Sequence, residues 1–372
     1  MKIAIDALGI HYFGGGRTAT LRLLEALFDL DTQNQYLVAL TQFEPSLQRP
    51  NVRQWVAPVK GRLLVRLWAQ ILFPIRLRSY DLVHFIKNLG TFGVPTRQVV
   101  TIYDLTILRL PQIYPKVDVW YWKTLQRLTM RQADAVIAIS ESTAEDIEAI
   151  YGVGPEKTHI IFPAQSPHFR PALPEEIEQV RARYGLPEQY VVHVGRLDQK
   201  KNIPLILEGF ARFREKSGYP GKLVFVGEEY RKCRDASIPA VVERLGLVEH
   251  TLFTGPMPDE DVPAVYSAAL AFVFCSRHEG FGIVTLEAMA CGTPVIITPL
   301  KAVLEAAGDA ALVLEGEEAD FLAQALEKIW HDPALRAALR EKGLRRAAQF
   351  SWAEAARQTL ALYEEIARGS AG

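Results

Sequence analysis

Cysteine is scarce: the 372 residues hold three, Cys233, Cys275 and Cys291. An odd, widely spaced set in a chain this long is no disulfide framework, and without CxxC or a Cys/His cluster there is no metal motif. Long apolar runs are missing too. The longest uncharged stretch, Val262 to Ser276, covers 15 residues and carries Pro263. A membrane span needs roughly 18 or more. The opening MKIAID has an acid at position 6 and no apolar core. That argues against a signal peptide and for a reducing cytoplasm. Nor is one sign of charge in excess: 42 Lys and Arg meet 43 Asp and Glu, for a net −1. Binding by phosphate neutralisation needs a basic surplus, so no nucleic-acid partner is expected. With 49% apolar and 23% charged residues, disorder and collagen-like repeats are excluded as well.

What is present is one grammar used twice. A strand, Lys2 to Asp6, runs into Gly14-Gly15-Gly16 and then a helical stretch with Leu23, Leu24 and Leu27 on one stripe. Strands YLVAL, DLVHF, QVVTIYD, AVIAIS and HIIFP follow with helical segments between them. Ser142 and Glu145 match a capping box at the head of one such helix. Near-continuously apolar strands alternating with helices indicate parallel α/β sheets. Around Phe162 to Glu176 four prolines mark a linker, since proline breaks helix and central strand alike. Then the pattern restarts with YVVHVG, KLVFVG, LFTG, AFVFCS, PVIIT and ALVLE, and closes on a helix near Trp352 to Ala367. Length agrees, at roughly 150 residues per domain. Residues 1–168 read as one domain and 169–351 as a second. The expected architecture is two Rossmann-like, doubly wound parallel-sheet domains facing a cleft, with ligands at the carboxyl ends of the strands.

The richest stretch is Arg277-His-Glu-Gly-Phe-Gly-Ile-Val-Thr-Leu-Glu287, directly after strand AFVFCS. Gly280 and Gly282 suit a tight strand-to-helix turn where backbone must approach a ligand closely. The helix beginning near Gly282 offers free N–H groups, a ready anion site. Glu279 precedes that helix and Glu287 lies within it. Two carboxylates flanking a helix N-terminus can grip two hydroxyl-rich ends of one ligand with phosphates between. The plain alternative is a loop charge and a helix-surface residue, and those residues alone do not decide between the two.

EGFGIVTLEAMACGTPVI resembles the E-x7-E segment of retaining GT-B glycosyltransferases of family 4. HVGRLDQKKNIPLILEGF, VFVGEE, FTGPMPDEDVPAVYSAA, SESTAEDI and FSWAEAARQTLALYEEI are similar to further blocks of that family. The likeness is close over 190–365 and looser over 1–165. It implies a GT-B fold whose first domain takes the acceptor and whose second takes a nucleotide-sugar donor, with helix 352–372 packing back on the first. It places Arg196 and Lys201 on the donor diphosphate. Glu279 would hold donor-sugar hydroxyls and Glu287 the ribose. The N–H groups of Phe281, Gly282 and Ile283 would meet sugar and phosphate, and Met257 the nucleobase. Gly15 and Gly16 would belong to the glycine loop beside the diphosphate, with Asp6 orienting it. Tyr103 stands where the family commonly has a histidine against the sugar; a phenol hydrogen-bonds but cannot become cationic as imidazole can. FPAQSPHF likewise departs from the family's usual linker.

The resemblance implies a UDP- or GDP-sugar donor, a sugar or lipid-linked acceptor, and no cofactor or metal. Asp259-Glu-Asp261 superficially resembles a metal-binding D-x-D, but its place before a helix favours a cap. Residues 60–80 hold Lys60, Arg62, Arg66, Arg76 and Arg78, no acid, and Leu63, Leu67, Trp68, Ile71 and Leu72. A core-packed helix is the commoner arrangement for such a pattern. A basic amphipathic helix on the inner face of an anionic membrane is the other. Rival functions are a GT-B epimerase or phosphorylase, a non-catalytic nucleotide-sugar-binding subunit, and a dinucleotide oxidoreductase. The last lacks G-x-G-x-x-G, since residues 14–19 read GGGRTA.

Overall fold

Apolar strands buried on both faces dominate two separate sheets. The computed structural model describes residues 1–8, 10, 15–228 and 233–369, without the side chains at 15, 62 and 63. Two compact units emerge. The first comprises residues 1–109, 116–164 and 351–372; the second comprises 110–115 and 165–350.

The first unit's strands are β1 (Lys2–Asp6), β2 (Gln35–Leu40), β3 (Val52–Val56), β4 (Leu82–Phe85), β5 (Arg97–Ile102), β6 (Ala135–Ala138) and β7 (Thr158–Ile160). All pair in parallel, in the order β3-β2-β1-β4-β5-β6-β7. The direction of winding reverses between β1 and β4. Chain crossovers are right-handed, so that reversal sends helices to both faces. Leu23, Leu24 and Leu27 of the Gly15–Leu30 helix share one core with Ala355, Ala356, Leu362 and Tyr363 of the Trp352–Arg368 helix. Tyr363 reaches between the strands: its hydroxyl lies 2.6 Å from His84 Nδ1, and His84 Nε2 lies 2.7 Å from Thr101 Oγ1. Burial keeps that imidazole neutral, pushed down to about 3. On the opposite face the Arg62–Arg76 helix inserts Val65, Ala69 and Phe73, and the Lys116–Gln132 helix inserts Met130.

The second unit's strands are β8 (Tyr190–Val194), β9 (Lys222–Val226), β10 (Thr251–Gly255), β11 (Ala271–Phe274), β12 (Val295–Ile297) and β13 (Leu312–Val313). Their order is β10-β9-β8-β11-β12-β13, again all parallel, reversing between β8 and β11. Among the described residues no helix is long and apolar enough to cross a membrane.

Local details depart from the sequence reading. The cap of the Glu141–Tyr151 helix is Ser140 rather than Ser142: its side chain accepts from the Thr143 N–H at 2.9 Å. The proline-rich linker is shorter than expected, because Pro174 opens the Pro174–Tyr184 helix. Proline suits the first helical turn, where its missing N–H has no partner to lose. Asp261 stands at the cap position of the Val262–Ala268 helix but makes no side-chain cap bond. Its carboxylate instead accepts from Arg183 Nη1 at 3.0 and 2.8 Å and from Tyr184 Oη at 2.7 Å. The Arg62–Arg76 helix packs one stripe, Val65, Ala69 and Phe73, in the core, as expected, and leaves a second, Leu64, Leu67, Ile71 and Ile75, exposed.

Candidate active site in the second unit

β8 and β11 are neighbours on either side of the winding reversal. Open α/β sheets bind ligands at the carboxyl ends of such a pair. The loop after β8 carries Gly195 to Asn202, and the loop after β11 carries Cys275 to Gly282. Arg277 fastens the loops together: its N–H donates to the Lys200 carbonyl at 2.8 Å, its Nη2 to Asn202 Oδ1 at 3.0 Å and its Nη1 to the Gln199 carbonyl at 3.4 Å. Asn202 has φ +54°, a left-handed conformation that asparagine tolerates better than most residues, and from there the Ile203–Ser217 helix begins.

At the junction Glu279 Oε1 accepts from Lys201 Nζ at 2.7 Å, and Glu279 Oε2 from Lys200 Nζ at 3.3 Å. All three side chains are largely buried, at 10%, 10% and 14% exposure respectively. Burial alone would raise the Glu279 carboxyl, but Lys200 and Lys201 outweigh it and hold it down at about 2. Lys201 Nζ also sits 4.5 Å from the centre of the Phe274 ring. That ring belongs to a buried stack with Phe272 and His193. The Lys201 N–H is held by Asp198 Oδ1 at 3.3 Å. Arg196 is half-buried on the same loop.

The helix Ile283–Ala290 starts at Gly282, whose φ of +89° is the left-handed conformation that glycine adopts without strain. A Cβ there would press on Val303 at 3.3 Å. Phe281 is buried, its ring edge-on to Phe350 at 5.6 Å. Ile283 is half-buried at the first turn, as is Glu287 one turn further on. Burial, aided by the nearby Asp259 charge, pushes the Glu287 carboxyl up to about 8, with the Tyr266 hydroxyl partly offsetting it. The two carboxyls thus have opposite environments: the lysines favour the ionised form of Glu279, and burial favours the neutral form of Glu287. Met257 lies just beyond Gly255 at the end of β10, half-buried.

Of the residues expected on sequence grounds, the structure brings Lys201 and Glu279 into direct contact. Lys200, Phe274 and Asp198 escaped the sequence reading. The doubled lysine at 200–201 was the available signal for the first.

In the first unit, Gly15 and Gly16 open the Gly15–Leu30 helix, and Gly14 lies outside the described residues. Thr20 Oγ1 donates to the Gly16 carbonyl at 2.7 Å and lies 3.0 Å from Tyr103 Oη. Thr20 has a single hydroxyl proton, so the phenol is the donor in the second bond. Burial pushes the Tyr103 hydroxyl up to about 12. Asp6 accepts from the Leu8 N–H at 3.1 Å and faces Arg66 at 3.5 Å.

Both halves of the chain match known families. Residues 176–346 match glycosyl transferases group 1, and residues 13–164 match glycosyltransferase family 4. The O-antigen chain mannosyltransferase B of Escherichia coli is 29% identical over 321 residues, 82% of this chain and 83% of that one. Other curated relatives are longer, and the chain spans between 33% and 59% of them. Sucrose-phosphate synthase from Thermosynechococcus elongatus superposes with a TM-score of 0.79 at 22% identity, covering 98% of this chain and 99% of that one. HepE of Anabaena, solved with UDP and glucose, gives a TM-score of 0.76 at 19% identity, covering 98% of this chain and 100% of that one. The family matches and the fold together define a glycosyl-transfer enzyme of the GT-B class. The chain belongs to the GT-B glycosyltransferases of group 1 and family 4.

Proposed function

We propose that the chain is a retaining hexosyltransferase. It moves the sugar of a UDP- or GDP-sugar to a sugar or lipid-linked acceptor in cell-surface polysaccharide or glycoconjugate synthesis, without a metal. The observation that carries this reading is the Lys200–Glu279–Lys201 cluster at the carboxyl ends of β8 and β11. The relative named for O-antigen mannosyl transfer supports a hexose and a polysaccharide product. The neighbour solved with UDP and glucose supports a nucleotide-sugar.

On this reading the bond from the sugar's anomeric carbon to the diphosphate breaks, and a bond to the acceptor oxygen forms on the same face. The acceptor proton passes to the departing phosphate. Negative charge therefore grows on the diphosphate. Lys201, Arg196 and the N–H groups of Phe281, Gly282 and Ile283 stabilise that charge. Groups preorganised in this way contribute roughly 3–4 kcal/mol each. Glu279, kept ionised by its lysines, accepts hydrogen bonds from sugar hydroxyls. Glu287 accepts from ribose hydroxyls, and Met257 packs the base. The first unit takes the acceptor, and its Gly15, Gly16 and Tyr103 bind the donor. A lipid-linked acceptor is met on the cytoplasmic face of a membrane, where residues 60–80 supply the peripheral contact.

The test is nucleotide release from a panel of UDP-, GDP- and ADP-sugars, with Glu279→Ala and Lys201→Ala alongside. Release from one donor, lost in both variants, is the expected result. No binding or turnover of any donor, with sugar and lipid acceptors present, overturns the reading. Binding without turnover favours a nucleotide-sugar-binding subunit.

The Glu287 carboxyl gives a pH signature. A group raised to about 8 is neutral below that pH and ionised above it. Ribose hydroxyls donate to the ionised form, so nucleotide affinity should rise with pH. The ionised fraction grows about tenfold between pH 7 and 9, and apparent affinity scales with the competent fraction. Calorimetric titration of UDP or GDP should show that rise in the native chain and lose it in Glu287→Gln. An identical pH profile in the two proteins removes Glu287 from the ribose.

A further inference from the structure

The second unit holds a cavity of about 310 Å³ at the end of its sheet opposite the cluster of Lys200, Lys201 and Glu279. Tyr190 opens β8, Leu270 stands just before β11 and Pro294 just before β12, and all three line it. Lys201 and Glu279 follow the carboxyl ends of β8 and β11, so the cavity is no part of that site. Its volume lies at the lower end of the range for small-molecule pockets, roughly 300–1,000 Å³. Trp330 and Tyr219 give it an aromatic wall, their rings edge to face at 4.9 Å.

Two cations line the same cavity. Arg336 and Arg340 stand four residues apart on the Pro333–Ala347 helix, a spacing at which like charges repel. Neither forms an ion pair among the described residues. Helix capping accounts for part of each guanidinium. Arg336 Nη1 donates to the Ile329 and Trp330 carbonyls at 2.6 and 2.9 Å, and Arg340 Nη1 to the Gly292 carbonyl at 3.3 Å. Those bonds use Nη1 alone and leave Nε and Nη2 for a ligand. Glu188 is the single acid among the lining residues, so one positive charge is in excess. A monoanion balances that charge, and the planar arginine fork matches a carboxylate.

Gly292 links this cavity to the candidate active site. The Ile283–Ala290 helix starts at Gly282 in that site and runs eight residues, about 12 Å, to Cys291 and Gly292. Gly292 has φ +75°, and a Cβ there would lie 2.7 Å from Arg340 Nη1. The guanidinium therefore rests directly on the backbone at the helix end. A carboxylate that draws Arg340 off the Gly292 carbonyl releases one end of the helix whose other end forms the site.

We propose that the cavity is an effector site for a small monocarboxylate with a flat apolar body, coupled to the candidate active site through the Ile283–Ala290 helix. The proposal goes beyond the glycosyl-transfer reading, and its test needs no nucleotide.

The full chain is to be titrated by calorimetry with benzoate, benzyl alcohol, acetate and phenyl phosphate. Benzoate should bind at least tenfold more tightly than benzyl alcohol, which lacks the charge, and than acetate, which lacks the ring. Arg336→Gln with Arg340→Gln should weaken benzoate at least tenfold. Ala337→Phe, at an exposed lining position, fills the cavity while keeping both cations, and should do the same. Urea unfolding reports that the variants remain folded. Saturation with benzoate should change hydrogen exchange over residues 282–292 at least threefold in the native chain and leave it unchanged in Ala337→Phe. Absence of saturable benzoate binding, or binding indifferent to Ala337→Phe, overturns the site. Acetate binding as tightly as benzoate overturns the flat body, and phenyl phosphate binding more tightly overturns the carboxylate. Benzoate binding with unchanged exchange over residues 282–292 overturns the coupling.

Discussion

Lys201→Met should lower kcat about 100- to 1000-fold, the usual cost of removing one preorganised group aimed at transition-state charge. The fall should lie in kcat more than in KM, because the charge on the diphosphate grows only as the bond breaks. The same substitution should also destabilise the second unit. It leaves the buried Glu279 carboxylate with Lys200 as its remaining cation, at 3.3 Å instead of the 2.7 Å of the lost partner. Removing one member of a buried pair costs about 3–5 kcal/mol, and the remaining lysine places the loss at the lower end. The two effects separate in a double variant. Glu279→Gln with Lys201→Met removes both charges, and should regain most of the lost stability while turnover stays at the level of the single variant. Urea unfolding and nucleotide-release kinetics on the four proteins of the cycle give the answer. If turnover returns together with stability, the lysine is a structural partner of Glu279 and nothing more. A kcat within about threefold of the native value in Lys201→Met leads to the same conclusion.

The sequence displayed much of this site, and the part it hid has a physical reason. Glu279, Gly282 and Glu287 follow one another along the chain, so their place on a loop, a turn and a helix could be read locally. The helix does begin at Ile283. The Lys200–Glu279 contact spans 79 residues and depends on β8 pairing with β11, which no local pattern reports. Choosing between two adjacent lysines was equally out of reach, and the structure uses both. In the first unit the edge strand Val52–Val56 went unseen. Its residues are half-buried or exposed, so it lacks the apolar run that marks its neighbours. Ser142 looked like a cap because an acid stands three residues on. Ser140 holds the position because it is extended, at φ −162° and ψ 163°, where the chain leaves β6. The Arg62–Arg76 helix was read as facing either core or membrane. A helix has room for two stripes, and Val65, Ala69 and Phe73 occupy one while Leu64, Leu67, Ile71 and Ile75 occupy the other.

Gly227→Ala should unfold the second unit's site more effectively than any single change to a catalytic side chain. Gly195 and Gly227 end the paired strands β8 and β9, with φ of +145° and +137°. They stand back to back: the Gly195 N–H donates to the Val226 carbonyl at 2.9 Å, and the Gly227 N–H to the Gly255 carbonyl at 3.0 Å. A Cβ on residue 227 would lie 2.0 Å from the Gly195 carbonyl oxygen and 2.8 Å from its carbon. Those are backbone atoms held by a sheet bond, so no side chain can swing clear. Backbone strain of about 1–3 kcal/mol and an overpacking cost of similar size add, giving a loss of at least about 3 kcal/mol. Gly218→Ala is the control. It also has positive φ, +67°, but nothing lies within 4 Å of its Cβ, so only the left-handed cost of about 1 kcal/mol applies. The functional consequence follows from position. Gly195 directly precedes Arg196 on the loop that carries Lys201, so displacing its carbonyl shifts that loop and moves Lys201 away from Glu279. Activity in the alanine variant at 227 should therefore fall further than its folded fraction does, whereas the variant at 218 should turn over normally once folded. Denaturant titration paired with nucleotide release decides it. Equal losses of stability in the two variants would show that the strand ends do not press on one another, and that the loop after β8 is held from elsewhere.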